Sequence, residues 1–394
     1  MGDWRKYIPD GTRDILFKEC SVKVEVENKL RTVYKRGGYS ELVSPTLEFY
    51  DVFNLENQPI EQEKMYKLFD NKGRIMVLRP DMTTPIARIV STKIKNDIYP
   101  VKLCYTSNIF RVNENLNGKL SEITQSGIEI VGTDSIKADA EAVITAIKAL
   151  KAIGLKNFKI EIGQAEFFKA IMEDVDINPD EKEKIRKCIE NKNFAALREI
   201  LALKEAEIGE EKAKMLNKLP ELFGGMEVLE TAKGLTKNAK ALETLNSVEE
   251  LYEIIKCVGL QEYLTIDLGM VQHINYYTGL IFRGYSTEVG DDILTGGRYD
   301  RLMEQFGKKM PATGLALNVD NILIAMERQY IASEETHPEE YVIYADKAHL
   351  KEAYALLTDM ENEGKSAEIS VLDSEEETRK YAQSRNKKLI VCNN

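Results

Sequence analysis

Three histidines, five cysteines and one tryptophan are spread through 394 residues, and these scarcities narrow the options early. Cys20, Cys104, Cys188, Cys257 and Cys392 form no Cys-x-x-Cys pair, and the histidines are too few to complete a zinc site with them. The thiols therefore read as reduced, and neither a metal nor a cofactor is expected. No apolar run approaches the roughly 18 to 20 residues that a membrane-spanning helix needs. The start, Met-Gly-Asp-Trp-Arg-Lys-Tyr-Ile-Pro, lacks the apolar centre of a signal peptide, so a cytoplasmic chain without membrane contact is expected. There is no Gly-x-x-x-x-Gly-Lys-Ser/Thr loop, which excludes a P-loop nucleotide site. Basic charge is also in deficit: the net charge of −11 and pI near 5.2 disfavour a phosphate-backbone partner, whose affinity rests on clustered Lys and Arg.

With 43% hydrophobic residues the chain has enough apolar surface for a substantial core in two or three domains. Val22, Val24, Val26, Leu30, Val33 and Tyr34 follow a mainly helical rhythm within Glu19 to Gly37, and Gly37-Gly38 is a natural stop. The strand-like run from Tyr39 to Leu47 is interrupted by Pro45, which suits an edge or an interface. Further strands are expected at Arg74 to Leu78, Val101 to Tyr105 and Gly127 to Val131, with helices at Thr84 to Ser91 and Ala138 to Ile153. From about 171 to 255 the pattern becomes helical, opening at Asn178-Pro179-Asp180-Glu181 with Asn as cap and Pro at the first helical position. Strand character resumes at Tyr263 to Gly269, so this stretch reads as an insertion. After residue 338 the order is β-α-β-α-β, the signature of a small parallel sheet.

Several polar residues stand out from this framework. Gln125 and Glu129 lie four apart on an extended segment, so their side chains share one face and can converge on one ligand. Taken singly, each has an ordinary reading: Asp81 as a surface or helix-capping carboxylate, Glu129 as a strand residue facing water, Arg111 as a surface ion-pair partner. Tyr276-Tyr277 alone reads as core packing with a wet hydroxyl, and Gly296-Gly297-Arg298-Tyr299-Asp300 as a turn leading into a helix.

Together, in this order, they closely resemble the motifs of histidyl-tRNA synthetases. Tyr276-Tyr277-Thr278-Gly279 and Gly296 to Asp300 are similar to that family's two histidine-specific signatures; Arg79-Pro80-Asp81-Met82-Thr83 is similar to its Arg-Pro-Glu-x-Thr element and Gln125 to Glu129 to its Gln-x-Gly-x-Glu element. The resemblance implies that Asp81 and Thr83 hold an α-ammonium, that Gln125 and Glu129 converge on the same ligand, and that Tyr277 and Tyr299 meet the imidazole or its carboxylate partner. Arg111, Gln272 and Tyr276 complete the expected histidine-binding set, with Arg111 and Gln272 facing the α-carboxylate.

The departures carry as much weight. The signature arginine four residues before Tyr276 is Gln272, the motif-3 arginine is Asn321, and the glutamate two residues after Arg111 is Asn113, while Lys119-Leu120-Ser121 replaces an arginine-rich run. Arginines clamp triphosphate because their planar fork meets two oxygens at once, so aminoacylation is not expected and no catalytic residue is assigned. This combination resembles the paralogous regulatory subunits of short-form ATP phosphoribosyltransferase. The implied fold is α+β: a class II aminoacyl-tRNA synthetase-like core at 1–335 with a mostly antiparallel sheet, a helical insertion at about 171–255, and a truncated anticodon-binding-like α/β domain at 338–394. The implied partners are L-histidine and a catalytic transferase subunit, in a hetero-oligomer built on a homodimer with Pro45 at its interface, and no tRNA. A divergent active histidyl-tRNA synthetase, a non-catalytic RNA-binding paralogue and a ligase for another acceptor remain open readings.

Overall fold

The computed structural model describes residues 4–55, 60–94, 98–113, 119–173, 175–271, 276–331 and 340–392. The chain divides into two compact units, Met1–Ile331 and Ala332–Asn394. In the first, α1 (Phe17–Arg36) buries Val26, Leu30 and Tyr34, residues four apart on one stripe. It closes where expected: Gly38 adopts φ +79° and the Tyr39 N–H donates back to the Tyr34 carbonyl. The run around Pro45 splits into β1 (Ser40–Glu41) and β2 (Leu47–Phe49). Strand β2 forms a three-stranded antiparallel sheet with β3 (Lys67–Phe69) and β4 (Ile75–Leu78), in the order β2-β4-β3. Helix α2 (Thr83–Thr92) follows, then the long antiparallel pair β5 (Val101–Phe110) and β6 (Glu122–Val131).

Both strands of that pair outrun their expected ends. The ladder continues through Thr106, Ser107, Asn108 and Thr124, polar residues that hydropathy alone assigns to loops. They remain in the sheet because their backbone bonds are satisfied across the pair while their side chains bond one another, as Thr106 does with Ser126 at 2.9 Å and Thr124 with Asn108 at 3.0 Å.

Helix α3 (Ile136–Ala152) carries mostly buried residues and packs behind the sheet between α1 and α10. After β7 (Phe158–Gln164) and α4 (Ala165–Glu173) comes the helical region: α5 (Pro179–Glu190), α6 (Phe194–Leu203), α7 (Glu205–Ile208), α8 (Glu210–Lys218), α9 (Glu227–Leu235) and α10 (Ala239–Cys257). Asn178, Asn193 and Asn238 cap three of these, each side chain accepting from the N–H three residues on at 2.9, 3.2 and 3.0 Å. The region is not purely helical. A short strand β8 (Phe223–Gly224) pairs with β9 (Leu264–Asp267), extending the main sheet, and α10 packs on α3, α4 and β7 as part of the core.

Strands β10 (Leu280–Ser286), β11 (Leu294–Arg298) and β12 (Ala312–Asn318), then α11 (Val319–Arg328), complete the unit. The main sheet has nine strands in the order β1-β5-β6-β12-β11-β10-β7-β9-β8, antiparallel except at β1-β5 and β7-β9. The second unit runs β13 (Glu340–Ala345), α12 (Leu350–Asn362), β14 (Ser366–Ile369), α13 (Glu375–Ser384) and β15 (Lys388–Cys392). Its three parallel strands lie in the order β14-β13-β15 over a small core of Ile343, Ala353 and Met360. Among the described residues no helix is long and apolar enough to cross a membrane.

Candidate functional site

Alternate residues of four central strands form the floor of a cavity of about 240 Å³. One row across the sheet pairs Glu129 with Gly314, Gly314 with Gly297 and Gly297 with Ile281. The neighbouring row on the same face pairs Ala316 with Thr295 and Thr295 with Arg283. The glycines make room for the side chains that cross them. A Cβ on Gly314 would sit 1.7 Å from Glu129 Oε2, and one on Gly297, at φ +156°, would meet the Tyr277 ring at 2.7 Å. Glu129 thus lies flat over β12, and Tyr277 covers β11.

Glu129 is the centre of the polar network. It is 1% exposed, and its carboxylate accepts from Thr83 Oγ1 at 2.8 Å and from the Tyr299 hydroxyl on the other oxygen. Burial pushes its pKa up to about 8, against the lowering effect of those two hydrogen bonds. Tyr276 stacks on Tyr299 with ring centres 5.7 Å apart and meets Tyr277 edge-on at 5.0 Å, which builds the aromatic wall. Asp81 lines the cavity and also caps α2, accepting from the Thr84 N–H at 2.8 Å and Thr84 Oγ1 at 3.1 Å. Its burial raises the carboxyl pKa, while the Thr84 N–H and the Arg111 charge hold it down. Arg111 is no surface ion-pair partner: it lines the cavity and donates from Nε to the Pro80 carbonyl at 2.9 Å. Gln125 Oε1 is buried with no hydrogen-bond partner among the described residues, an acceptor that a ligand N–H would satisfy.

Asp81, Thr83, Arg111, Gln125, Glu129, Tyr276, Tyr277 and Tyr299 line one cavity. Gln272 lies outside the described residues. The aromatic signatures are tied together by the backbone: the Thr278 N–H donates to the Arg298 carbonyl at 2.8 Å, and the Asp300 N–H to Thr278 Oγ1 at 2.9 Å. Arg298 itself has a structural role. It is buried, donating to Asp139 Oδ2 at 3.0 Å, the Thr133 carbonyl at 3.1 Å and Asp300 Oδ1 at 3.3 Å. Arg298→Met is expected to cost about 3 kcal/mol of stability by leaving Asp139 buried without its cation, which urea unfolding would measure. A cost below about 0.5 kcal/mol, the range of ordinary surface substitutions, would contradict that role.

A second chamber of about 400 Å³ adjoins the first, sharing Arg111, Gln125, Asp292, Thr295 and Ala316. Asn113 and Asn321 line it, and each side-chain amide donates to a local carbonyl. Asn113 Nδ2 donates to the Leu120 carbonyl at 2.6 Å, and Asn321 Nδ2 to the Asp292 carbonyl at 2.9 Å. Lys119 pairs with Asp291 at 2.9 Å.

Comparison with known proteins fits this geometry. A histidyl-tRNA synthetase family model matches residues 11–322. An ATP phosphoribosyltransferase regulatory subunit of Clostridium acetobutylicum is 59% identical over 384 residues, 97% of this chain and 93% of the relative. The chain belongs to the family of ATP phosphoribosyltransferase regulatory subunits. The regulatory subunit of Clostridium kluyveri is 53% identical over 99% of this chain and all of its own length. A crystal structure from Bacillus halodurans C, described as an ATP phosphoribosyltransferase regulatory subunit/histidyl-tRNA synthetase, is 31% identical, covers 98% of both chains and superposes with a TM-score of 0.88. The synthetase-like class II fold expected from the motifs is therefore the fold of this regulatory-subunit family member.

Sequence reasoning missed Met270, Arg283, Asp292 and Thr295, all of which line the cavity. One signal was available for Arg283. It is the single charge within Leu-Ile-Phe-Arg-Gly-Tyr-Ser, on the strand face where Ile281 also points to the cavity.

Proposed function

We propose that this chain is a non-catalytic regulatory subunit that binds L-histidine in the 240 Å³ cavity and passes its occupancy to a separate short-form ATP phosphoribosyltransferase. The observation that supports the reading is the buried Glu129 carboxyl group, held by Thr83 and Tyr299 above Gly314, an acceptor for an imidazole N–H in this proposal. Asp81 and Gln125 Oε1 supply acceptors for an α-ammonium, and Arg111 a cation on the same cavity. Gln272 adds a neutral donor for the α-carboxylate. The adjoining chamber, with Asn113 and Asn321 tied to local carbonyls, supports the loss of adenylate chemistry.

Regulation requires histidine to favour one of two states of the complex, by about 1 to 3 kcal/mol of coupling. The histidine-binding core comprises residues 1–335, with 338–394 as a separate domain, and the chain acts in the cytoplasm without tRNA, metal or cofactor. Pairing through the Pro45 region is supported by Val43, Leu47, Phe49 and Phe69, which are 85, 45, 44 and 74% exposed there. Titration calorimetry tests the ligand: L-histidine is expected to bind one site per chain, and ATP not at all. Absence of histidine binding would remove the reading.

A further inference from the structure

Arg283 lines the cavity and sits in the second row of its floor, opposite Thr295. The Glu129 carboxylate lies over β12, and Arg283 rises from β10, two strands away at about 4.8 Å each and one row along. The two ends of the cavity thus carry an acceptor and a cation, the polarity that an amino acid needs when its side chain donates and its carboxylate accepts.

The guanidinium is fixed from behind. Nε donates to Glu161 Oε2 at 2.5 Å, and Asp267 Oδ2 lies 3.9 Å from Nη2, beyond hydrogen-bond range. Asp267 has another cation, Lys192 at 3.7 Å, and its Oδ1 accepts the Gly269 N–H at 2.9 Å. Among the described residues the Arg283 side chain makes one hydrogen bond, from Nε, although a guanidinium carries five N–H donors. Asp292 also lines the cavity and its charge acts on the same guanidinium, but no hydrogen bond joins the two among the described residues. Arg111 stands at the Asp81 end, where Asp81 balances it.

We propose that Arg283 supplies a cation for the α-carboxylate of the bound amino acid, in addition to the donors named above, its Nη edge meeting the two oxygens while Glu161 keeps the fork in place. Glu161 acts as a positioning residue. Resting on the histidine reading above, this names the group that separates histidine from imidazole compounds without a carboxylate, such as L-histidinol.

Calorimetry with L-histidine and L-histidinol on the wild type, Arg283→Gln and Arg283→Lys tests it. Loss of a charge-assisted contact corresponds to about 10- to 100-fold in affinity. Arg283→Gln is therefore expected to bind L-histidine about 10- to 100-fold more weakly while its L-histidinol affinity stays within about twofold of wild type. Should Arg283→Gln fail to fold beside buried Glu161, Arg283→Lys keeps the charge but loses the fork, and its preference for histidine over histidinol is expected to shrink. A preference equal to wild type in either folded variant overturns the assignment while leaving histidine binding intact. Equal weakening of both ligands overturns it as well. A wild type that binds neither overturns the histidine reading together with it.

Discussion

Glu129→Ala is expected to lower L-histidine affinity by about 10- to 100-fold, the effect of removing a buried hydrogen-bond partner. The loss has two sources: the acceptor for the imidazole N–H disappears, and the hydroxyls of Thr83 and Tyr299 lose their partner. Glu129→Gln keeps the volume and separates affinity from stability. Burial raises the Glu129 pKa from 4.5 to about 8, so between those values the folded protein holds a proton that the unfolded chain has released. The stability contributed by the neutral acid is complete below about pH 4.5 and is lost as pH rises through about 8. Glu129→Gln removes that slope, and above pH 8 it should be more stable than wild type, by on the order of 5 kcal/mol, even though it binds histidine worse. Melting curves recorded from pH 5 to 9 check this. Parallel pH profiles for the two proteins would contradict it.

Histidine-dependent exchange of pyrophosphate into ATP is expected to lie several orders of magnitude below that of a working synthetase. Each missing electrostatic donor at a transferring phosphoryl group corresponds to about 3 kcal/mol of barrier, roughly a factor of 100. At Asn321 an uncharged amide stands where the synthetase resemblance implies an arginine, and it is already bonded to the Asp292 carbonyl. Asn113 is bonded to the Leu120 carbonyl in the same way, and Lys119 is paired with Asp291 at the exposed rim. Arg111 is shared between the chambers, with its Nε bonded to the Pro80 carbonyl. Exchange within about 100-fold of an authentic synthetase would overturn the view that these replacements disarm the site.

How much of this was legible depends on where the information resides. The α1 stop at Gly37-Gly38 and the Asn178 cap were readable because a local backbone requirement, positive φ or an unsatisfied N–H, selects a residue type directly. The gathering of Asp81, Thr83, Gln125, Glu129 and the tyrosines was readable through motif order, since hydropathy treats each of them as an ordinary surface or core residue. The polar half of β5 and β6 was hidden because sheet pairing there is satisfied by cross-strand partners that lie distant in sequence. Strand β8 was hidden for a similar reason: Phe223-Gly224 has no alternation of its own and becomes a strand only by meeting β9. Asp81 combines two readings that the sequence offered as alternatives, cap and cavity wall, because the start of α2 abuts the cavity.

The most direct measurement is turnover of the catalytic short-form transferase, with and without this chain, as L-histidine is titrated. The chain is expected to raise turnover when histidine is absent and to confer inhibition as histidine saturates, with Glu129→Gln still activating but requiring far more histidine to inhibit. Turnover that ignores the chain, or inhibition at the same histidine concentration with wild type and Glu129→Gln, would contradict regulation through this cavity.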